Sequence, residues 1–478
     1  MTFQSLSFAA FVAATAGLFW LVPVRFKRYV LLAASCAFYV SWSLRYTVLL
    51  LAVTGFVYTA ALQISASRDE RTKRRLMAVA VVVLLGVLAS FKYFADLQPL
   101  LVQMPGGGGI AALRLAVPLG ISYYVFKLVG YVVDVYWENV PAERSLVAVA
   151  NYAAFFPQML CGPIQRAGDF FTQLRALRNP SADMVSSGLR LVLFGFFKKL
   201  VVADQLGTII DPFFNRLDHQ APAELLAALY LFPIQLYADF SGISDIAIGI
   251  GRLFGIESPP NFDSPLYAAN VTDFWRRWHM SLTSWLRDYV FMPLRHATRS
   301  LGDMGLVIAI MANMVAIGLW HGARSSYLVF GLINGVYMSV SALTLKTRNT
   351  WFKAHPAWAR LRRFVAPLVL FHLVVVAFAF FRLPTASQAV LALMGALPAV
   401  RHPAALAAAI GPKTTRFAVA MLGVVAMEIV HSARRQPRLE AWFLGRPIWM
   451  RWGLYYAAGL AIVLLGTYTT TTFIYAQF

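Results

Sequence analysis

Two histidines offer this chain its clearest chemistry. His279 ends "FWRRWH" (274–279), and about forty residues later His321 stands in "AIGLWHGARSSYLVFGLINGVY" (Ala316 to Tyr337), between Trp320 and Gly322. A neutral imidazole accepts a proton near neutral pH, which suits a general base. His321 closes one apolar run and opens the next, and Gly322 leaves room for a substrate or a second backbone. In a membrane helix a lone histidine more often serves polar packing, so His321 by itself supports both readings. Upstream, "LYADFSGISDIAIGIG" (Leu236 to Gly251) sets Asp239, Ser241 and Asp245 in an otherwise apolar segment. Carboxylates at membrane depth face a water-filled cavity or a cationic partner. Arg276, Arg277 or Arg287 are the expected partners, and an ion pair and a polar cavity lining both stay open.

The segment around His279, "DFWRRWHMSLTSWLRDYVFMPL" (Asp273 to Leu294), is rich in tryptophan and arginine. On a helical wheel Phe274, Trp275, Trp278, Leu282, Trp285, Leu286 and Tyr289 share one face. Arg276, Arg277, Thr283, Ser284 and Arg287 fall opposite, with His279 on the border and Pro293 ending the pattern. Such an amphipathic helix is expected to lie at the membrane–water boundary. Taken alone it reads as a membrane anchor. Asp288, next to Arg287, belongs with the polar candidates.

The elements that hold these residues are read from composition. Of 478 residues, 59% are hydrophobic and 13% charged, against about 25% charged in soluble proteins. Spans of about 20 apolar residues are needed to cross a bilayer. The candidates are Phe8–Val24, Tyr29–Trp42, Tyr46–Leu62, Leu76–Tyr93, Pro118–Tyr136, Val147–Ile164, Leu189–Val202, Leu225–Ile250, Leu306–Trp320, Tyr327–Leu345, Phe364–Phe381, Ala389–Ile410, Phe417–Val430 and Leu454–Tyr468. Several are short enough to be tilted, paired or re-entrant. The expectation is an all-α polytopic membrane protein with roughly eleven to thirteen membrane helices, forming one domain over 1–478. The first span lacks a basic flank and a cleavage site, so it is expected to be retained.

The net charge of +21 does not point to nucleic acid. Its arginines and lysines cluster between spans, as in "RFKR" (Arg25 to Arg28), "SRDERTKRR" (Ser67 to Arg75), "LKTRN" with "ARLRR" (Leu345 to Arg363) and "ARRQPR" (Ala433 to Arg438). Such residues stay on the cytoplasmic side and meet anionic lipid there. If the first spans alternate, the N-terminus and the "PGGGG" connector (Pro105 to Gly109) face outward. The two cysteines, Cys36 and Cys161, lie in apolar runs and suggest no disulfide framework. The eight histidines lack metal-ligand spacing, so no metal site is read.

"FWRRWH" followed by "GLWHG" resembles the membrane-bound O-acyltransferases, in the bacterial branch that includes the alginate O-acetyltransferase membrane subunit. "PLGISYYVFKLVGYVVDVY" (Pro118 to Tyr136), "FFPQMLCGPIQR" (Phe155 to Arg166), "LYADFSGISDIAIG" (Leu236 to Gly249) and the closing "FIYAQF" (Phe473 to Phe478) are similar too. The likeness is dense from about Pro118 to Tyr337 and loose at both ends. It implies a funnel through a many-helix bundle, with His321 catalytic and His279 at the second active-site position. Relatives often carry Gln at the position of Lys127, His at that of Asn334, and Trp-x-Phe at Ser325 to Tyr327.

The resemblance also implies movement of an acyl group, usually acetyl, from a cytoplasmic thioester such as acetyl-CoA to an acceptor on the outer side. No bound cofactor is expected. His321 would act as general base on the acceptor hydroxyl, and His279 would position the donor or hydrogen-bond the oxyanion. Trp275, Trp278 and Trp320 would wall the funnel. Arg276, Arg277 and Arg287 would hold donor phosphates or lipid headgroups. The expected setting is the bacterial cytoplasmic membrane, with lipids and either a polysaccharide acceptor or a periplasmic acetyltransferase as partners. Two other classes stay open: a proton- or solute-coupled transporter, which shares intramembrane His and Asp but often shows an internal repeat not seen here, and a scaffold of a polysaccharide-modifying complex.

Overall fold

A computed structural model describes residues 5–468, apart from 95, 97, 99–101, 105–115, 160, 216, 218–219 and 412–413. The Pro105–Gly109 connector and the Phe473–Phe478 segment thus lie outside the described residues. Among the described residues every regular element is helical. Eight helices are long and apolar enough to cross a bilayer: Leu44–Ala66, Glu70–Lys92, Pro222–Leu253, Arg299–His321, Ser325–Leu343, Pro356–Arg382, Thr414–Arg434 and Ile448–Leu465. Leu6–Leu21 and Ala386–Arg401 are apolar but shorter. A helix satisfies its own backbone, as a hydrocarbon solvent requires. Its side chains here follow the same solvent: Val79, Val82, Val83 and Leu85 point outward from Glu70–Lys92. The chain is an all-α, multi-pass membrane protein.

Two expected spans are broken instead. Val147–Ile164 folds as helix Leu146–Ala154, a break at Phe155 and a single turn Phe156–Met159. Pro157 has no N–H to continue the helical ladder. Ala389–Ile410 becomes Ala386–Ala396, a 3-10 turn Leu397–Arg401 and Pro403–Ile410. Pro398 and Pro403 interrupt it for the same reason.

Contacts divide the chain into two compact units, one of residues 1–192 with 246–259 and one of 193–245 with 260–478. The first centres on Ile121–Tyr136, which is buried along nearly its whole length. Lys127 is buried in this unit. Its Nζ donates to Gln158 Oε1 at 2.8 Å and lies 4.6 Å from the Tyr152 ring centroid. Gln158, from the "FFPQMLCGPIQR" segment, is therefore the hydrogen-bond acceptor for that lysine. Cys161 is buried and Cys36 half-buried.

Both histidines belong to the second unit. Its main frame is a hairpin of Gly302–His321 and Ser325–Leu343. The two helices touch through glycines. A Cβ on Gly331 would fall 2.6 Å from the Met314 carbonyl oxygen, one on Gly335 would fall 2.6 Å from Met311 Sδ, and one on Gly318 would collide with the Tyr327 carbonyl. Small residues permit this approach where no hydrophobic effect drives helices together.

Candidate active site

His321 is the last residue of its helix. The backbone extends at Gly322 and re-enters helix at Ser325, so the glycine-tight hairpin fixes where the imidazole stands. Only 5% of His321 is exposed, which places it inside the protein and away from the lipid-facing surface. The ring is boxed by aromatics: the Phe381 centroid lies 4.7 Å away edge-on, Trp320 4.8 Å, Tyr327 5.9 Å and Phe330 6.2 Å.

His279 is 1% exposed and has a left-handed backbone, with φ 42° and ψ 53°. The segment Asp273–Leu294 is therefore not one amphipathic helix. Val271–Arg277 ends, Trp278 is extended, His279 turns the chain, and Met280–Leu286 begins afresh. A π-helical stretch Arg287–Phe291 and helix Met292–Ala297 follow. The turn carries His279 from the border of the expected wheel into the interior. Its ring meets Phe240 at 4.7 Å, edge-on, and Trp320 at 5.5 Å. Trp320 thus touches both imidazoles, neither centroid lying more than 5.5 Å from that of the indole.

A left-handed conformation is costly for a residue with a Cβ, by roughly 1–2 kcal/mol. Asn261 holds it in place. Its carbonyl accepts from Met280 N at 2.9 Å. Its side-chain Oδ1 accepts from Ser281 Oγ at 2.6 Å and from Ser281 N at 3.4 Å, and its Nδ2 donates to Ser244 Oγ at 2.9 Å. Sequence reading missed Asn261. The signal was an asparagine in the "SPPNFDSP" stretch (Ser258 to Pro265), where prolines favour irregular backbone, but nothing local ties that stretch to residue 279.

The tryptophans line this interior. Trp275 Nε1 donates to Asn334 Oδ1 at 3.3 Å, and Asn334 Nδ2 donates to the Phe330 carbonyl at 2.8 Å. Trp278 stacks on Phe274 at 5.4 Å and meets Phe262 and Phe378 at 5.2 Å each. Asn334 thus supports Trp275, and Tyr327 forms one wall of the His321 box.

The carboxylates have other partners than expected. Asp239 pairs with Lys199 at 2.6 Å, and Lys199 also pairs with Asp204 at 2.7 Å. Asp245 pairs with Lys198 at 2.8 Å and lies 3.7 Å from Arg434. Ser241 Oγ accepts from Lys198 Nζ at 3.2 Å. Arg276, Arg277 and Arg287 do not supply these cations. The two lysines sit in a π-helical stretch, Phe197–Ala203, that follows helix Ala182–Phe196. Gly242 lets this stretch come close, since a Cβ there would fall 3.2 Å from Lys199 N and 2.8 Å from the Gly195 carbonyl oxygen just before it. A readable signal was present: adjacent lysines inside "LVLFGFFKKLVVADQL" (191–206) require buried carboxylates.

The arginines lie toward the surface. Arg276 and Arg287 are exposed, and Arg277 is half-buried. Arg277 pairs with Asp273 at 2.8 Å and lies 3.7 Å from Asp263, while Arg287 pairs with its neighbour Asp288 at 2.8 Å. Exposed pairs of this kind add little stability.

The chain is thus a multi-pass helical membrane protein in which two buried histidines both lie against one indole. Residues 140–381 match MBOAT, the membrane-bound O-acyltransferase family, and the chain belongs to that family. It is 36% identical over 332 residues to a probable alginate O-acetylase of Azotobacter vinelandii, covering 68% of this chain and 65% of that protein, just under two thirds of its length. It is 29% identical over 401 residues to a peptidoglycan O-acetyltransferase of Helicobacter pylori, covering 77% and 73%. A teichoic acid D-alanyltransferase of Bacillus subtilis is 30% identical over 277 residues, covering 55% and 68%.

Proposed function

We propose that this chain is a membrane O-acyltransferase that moves an acyl group, usually acetyl, from a cytoplasmic thioester to a hydroxyl on a polysaccharide or to an extracytoplasmic partner. The single observation that carries this reading is the pair of buried imidazoles sharing the Trp320 indole. His321 takes the proton from the acceptor hydroxyl as that oxygen attacks the thioester carbon. The thiolate leaves with the electron pair of the broken C–S bond, and His321 returns the proton to it. His279 orients the donor or donates a hydrogen bond to the carbonyl oxygen as negative charge builds. Nothing in this scheme calls on a bound cofactor.

The aromatic box supports the scheme because excluding water protects a thioester from hydrolysis. Arg276 and Arg287, exposed and near the site in sequence, supply cations for donor phosphates. The bacterial cytoplasmic membrane, with the N-terminus outside, fits a donor made inside and an acceptor outside. The relatives, one named a probable alginate O-acetylase and one a peptidoglycan O-acetyltransferase, support an acetyl group and a polysaccharide acceptor.

The test is His321→Ala in proteoliposomes given acetyl-CoA or another labelled thioester and a polysaccharide acceptor. Losing a general base removes about 10²–10⁴-fold of rate, so label transfer should vanish while insertion and melting temperature hold. Transfer at the wild-type rate would remove His321 from the mechanism. Indifference of the wild-type protein to every thioester, alongside solute or proton flux, would favour a transporter instead.

A further inference from the structure

The basic, tryptophan-bearing stretch from Leu345 to Arg363 takes no part in the site above. It forms helix Leu345–Ala354 and the first turns of Pro356–Arg382. Together with the end of Ser325–Leu343 and residues Ala269–Val271, these elements enclose an open groove of about 650 Å³. Val340, Phe352, Val365 and Val369 give it apolar walls, and Trp351 and Trp358 stand at one side with ring centroids 6.2 Å apart. Two guanidinium groups reach into it, from Arg348 and Arg362, and no carboxylate is among the described residues that line it.

Arg348 is tied down on one side only. Its Nη2 donates to the Ser341 carbonyl at 2.8 Å and to Ser341 Oγ at 3.3 Å. Its Nε is buried and has no hydrogen-bond partner among the described residues. Arg362 lies 4.6 Å from the Phe352 ring centroid. Burial, and then the charge of Arg362, push the Arg348 guanidinium below its ordinary range. Two like charges against an apolar wall are unfavourable until an anion joins them.

We propose that this groove binds one anionic phospholipid, with its phosphate on Arg348 and Arg362 and an acyl chain along the apolar walls. The site pairs a fixed anion-binding head with a long apolar trough, which is the shape of an amphiphile. A phosphate diester accepts from guanidinium N–H groups in the forked geometry they present. Its volume falls within the roughly 300–1,000 Å³ of ligand pockets. Two tryptophans among the lining residues suit the headgroup level of a bilayer. A zwitterionic lipid brings its own ammonium to a place that already holds two cations and no carboxylate, and a free phosphate leaves the trough unfilled. The acyl-transfer reading is not needed for this site.

The test uses the full-length protein in nanodiscs containing phosphatidylglycerol or phosphatidylcholine, with a photoactivatable phosphatidylglycerol as probe and peptide mapping as readout. Crosslinks are expected within residues 337–373, displaced by unlabelled phosphatidylglycerol and not by phosphatidylcholine or inorganic phosphate. Arg348→Gln with Arg362→Gln should lower labelling of this region by about ten-fold, the loss of about 1.4 kcal/mol of binding. Val365→Trp, which fills the trough and leaves the arginines in place, should lower it as well. Equal displacement by phosphatidylcholine, full displacement by inorganic phosphate, crosslinks confined to other regions, or a second copy of the chain in the groove would each overturn the proposal. If the arginine variants do not fold, the wild-type crosslink map and its competition still decide.

Discussion

Replacing Asn261 by alanine leaves both histidines in the chain, yet it is expected to slow acyl transfer sharply. His279 holds a left-handed backbone at φ 42°, unfavourable by roughly 1–2 kcal/mol for a residue with a Cβ. Asn261 sustains that turn through its carbonyl and three side-chain hydrogen bonds, to Ser281 Oγ, Ser281 N and Ser244 Oγ. Removing the side chain strands buried groups at about 1–3 kcal/mol each. The lost support is at least as large as the strain it opposes, so the turn should relax. A penalty of about 2 kcal/mol on the productive placement of His279 corresponds to roughly thirty-fold in rate. The assay is transfer of labelled acetyl by the full-length protein in nanodiscs, read beside the melting temperature. Asn261→Asp keeps the acceptor for Ser281 and loses the donor to Ser244, so it should fall between wild type and alanine. His279→Asn is the control. Asparagine tolerates left-handed backbone, so it should melt near wild type while transfer falls. An Asn261→Ala protein that melts early but transfers at the wild-type rate would show that the turn is only structural.

Three further expectations follow from the same geometry. Lys199→Met leaves Asp204 and Asp239 buried without their shared cation, which should destabilise the protein by about 3–5 kcal/mol; adding Asp204→Asn and Asp239→Asn should recover much of the melting temperature, and no recovery would discount the ion network. Gly331→Val drives a side chain into the Met314 carbonyl, an overpacking of about 1–3 kcal/mol, so protease resistance of the hairpin and transfer should fall together. Arg276→Gln with Arg287→Gln should raise KM for the thioester donor several-fold with kcat nearly unchanged, and a fall confined to kcat would take these residues out of donor binding.

Much of the frame was readable before any coordinates. Leu225–Ile250 and Phe364–Phe381 appear as the cores of Pro222–Leu253 and Pro356–Arg382, because apolar length is what a bilayer selects. His321 stood out for a related reason: it closes an apolar run and is followed by glycine, and it is the last residue of a membrane-crossing helix. The wheel drawn through Asp273–Leu294 was not borne out. Its periodicity fits a continuous helix well, yet the chain breaks at His279, where Asn261, outside that window, accepts from Met280 and Ser281. The partners of Asp239 and Asp245 escaped for the same reason, since opposite charge alone does not choose between three arginines and two lysines.

Residue order on its own determined the membrane class, the helical content and most crossing segments. Those properties depend on the solvent around each stretch and on spacing along it, and both can be read locally. Tertiary structure alone decided that one indole lies against both imidazoles, that Lys198 and Lys199 take the carboxylates, and that a left-handed turn carries His279 inward. Each of these depends on contact between groups distant in sequence, and glycines such as Gly242 and Gly331 set how closely the helices bearing them can approach.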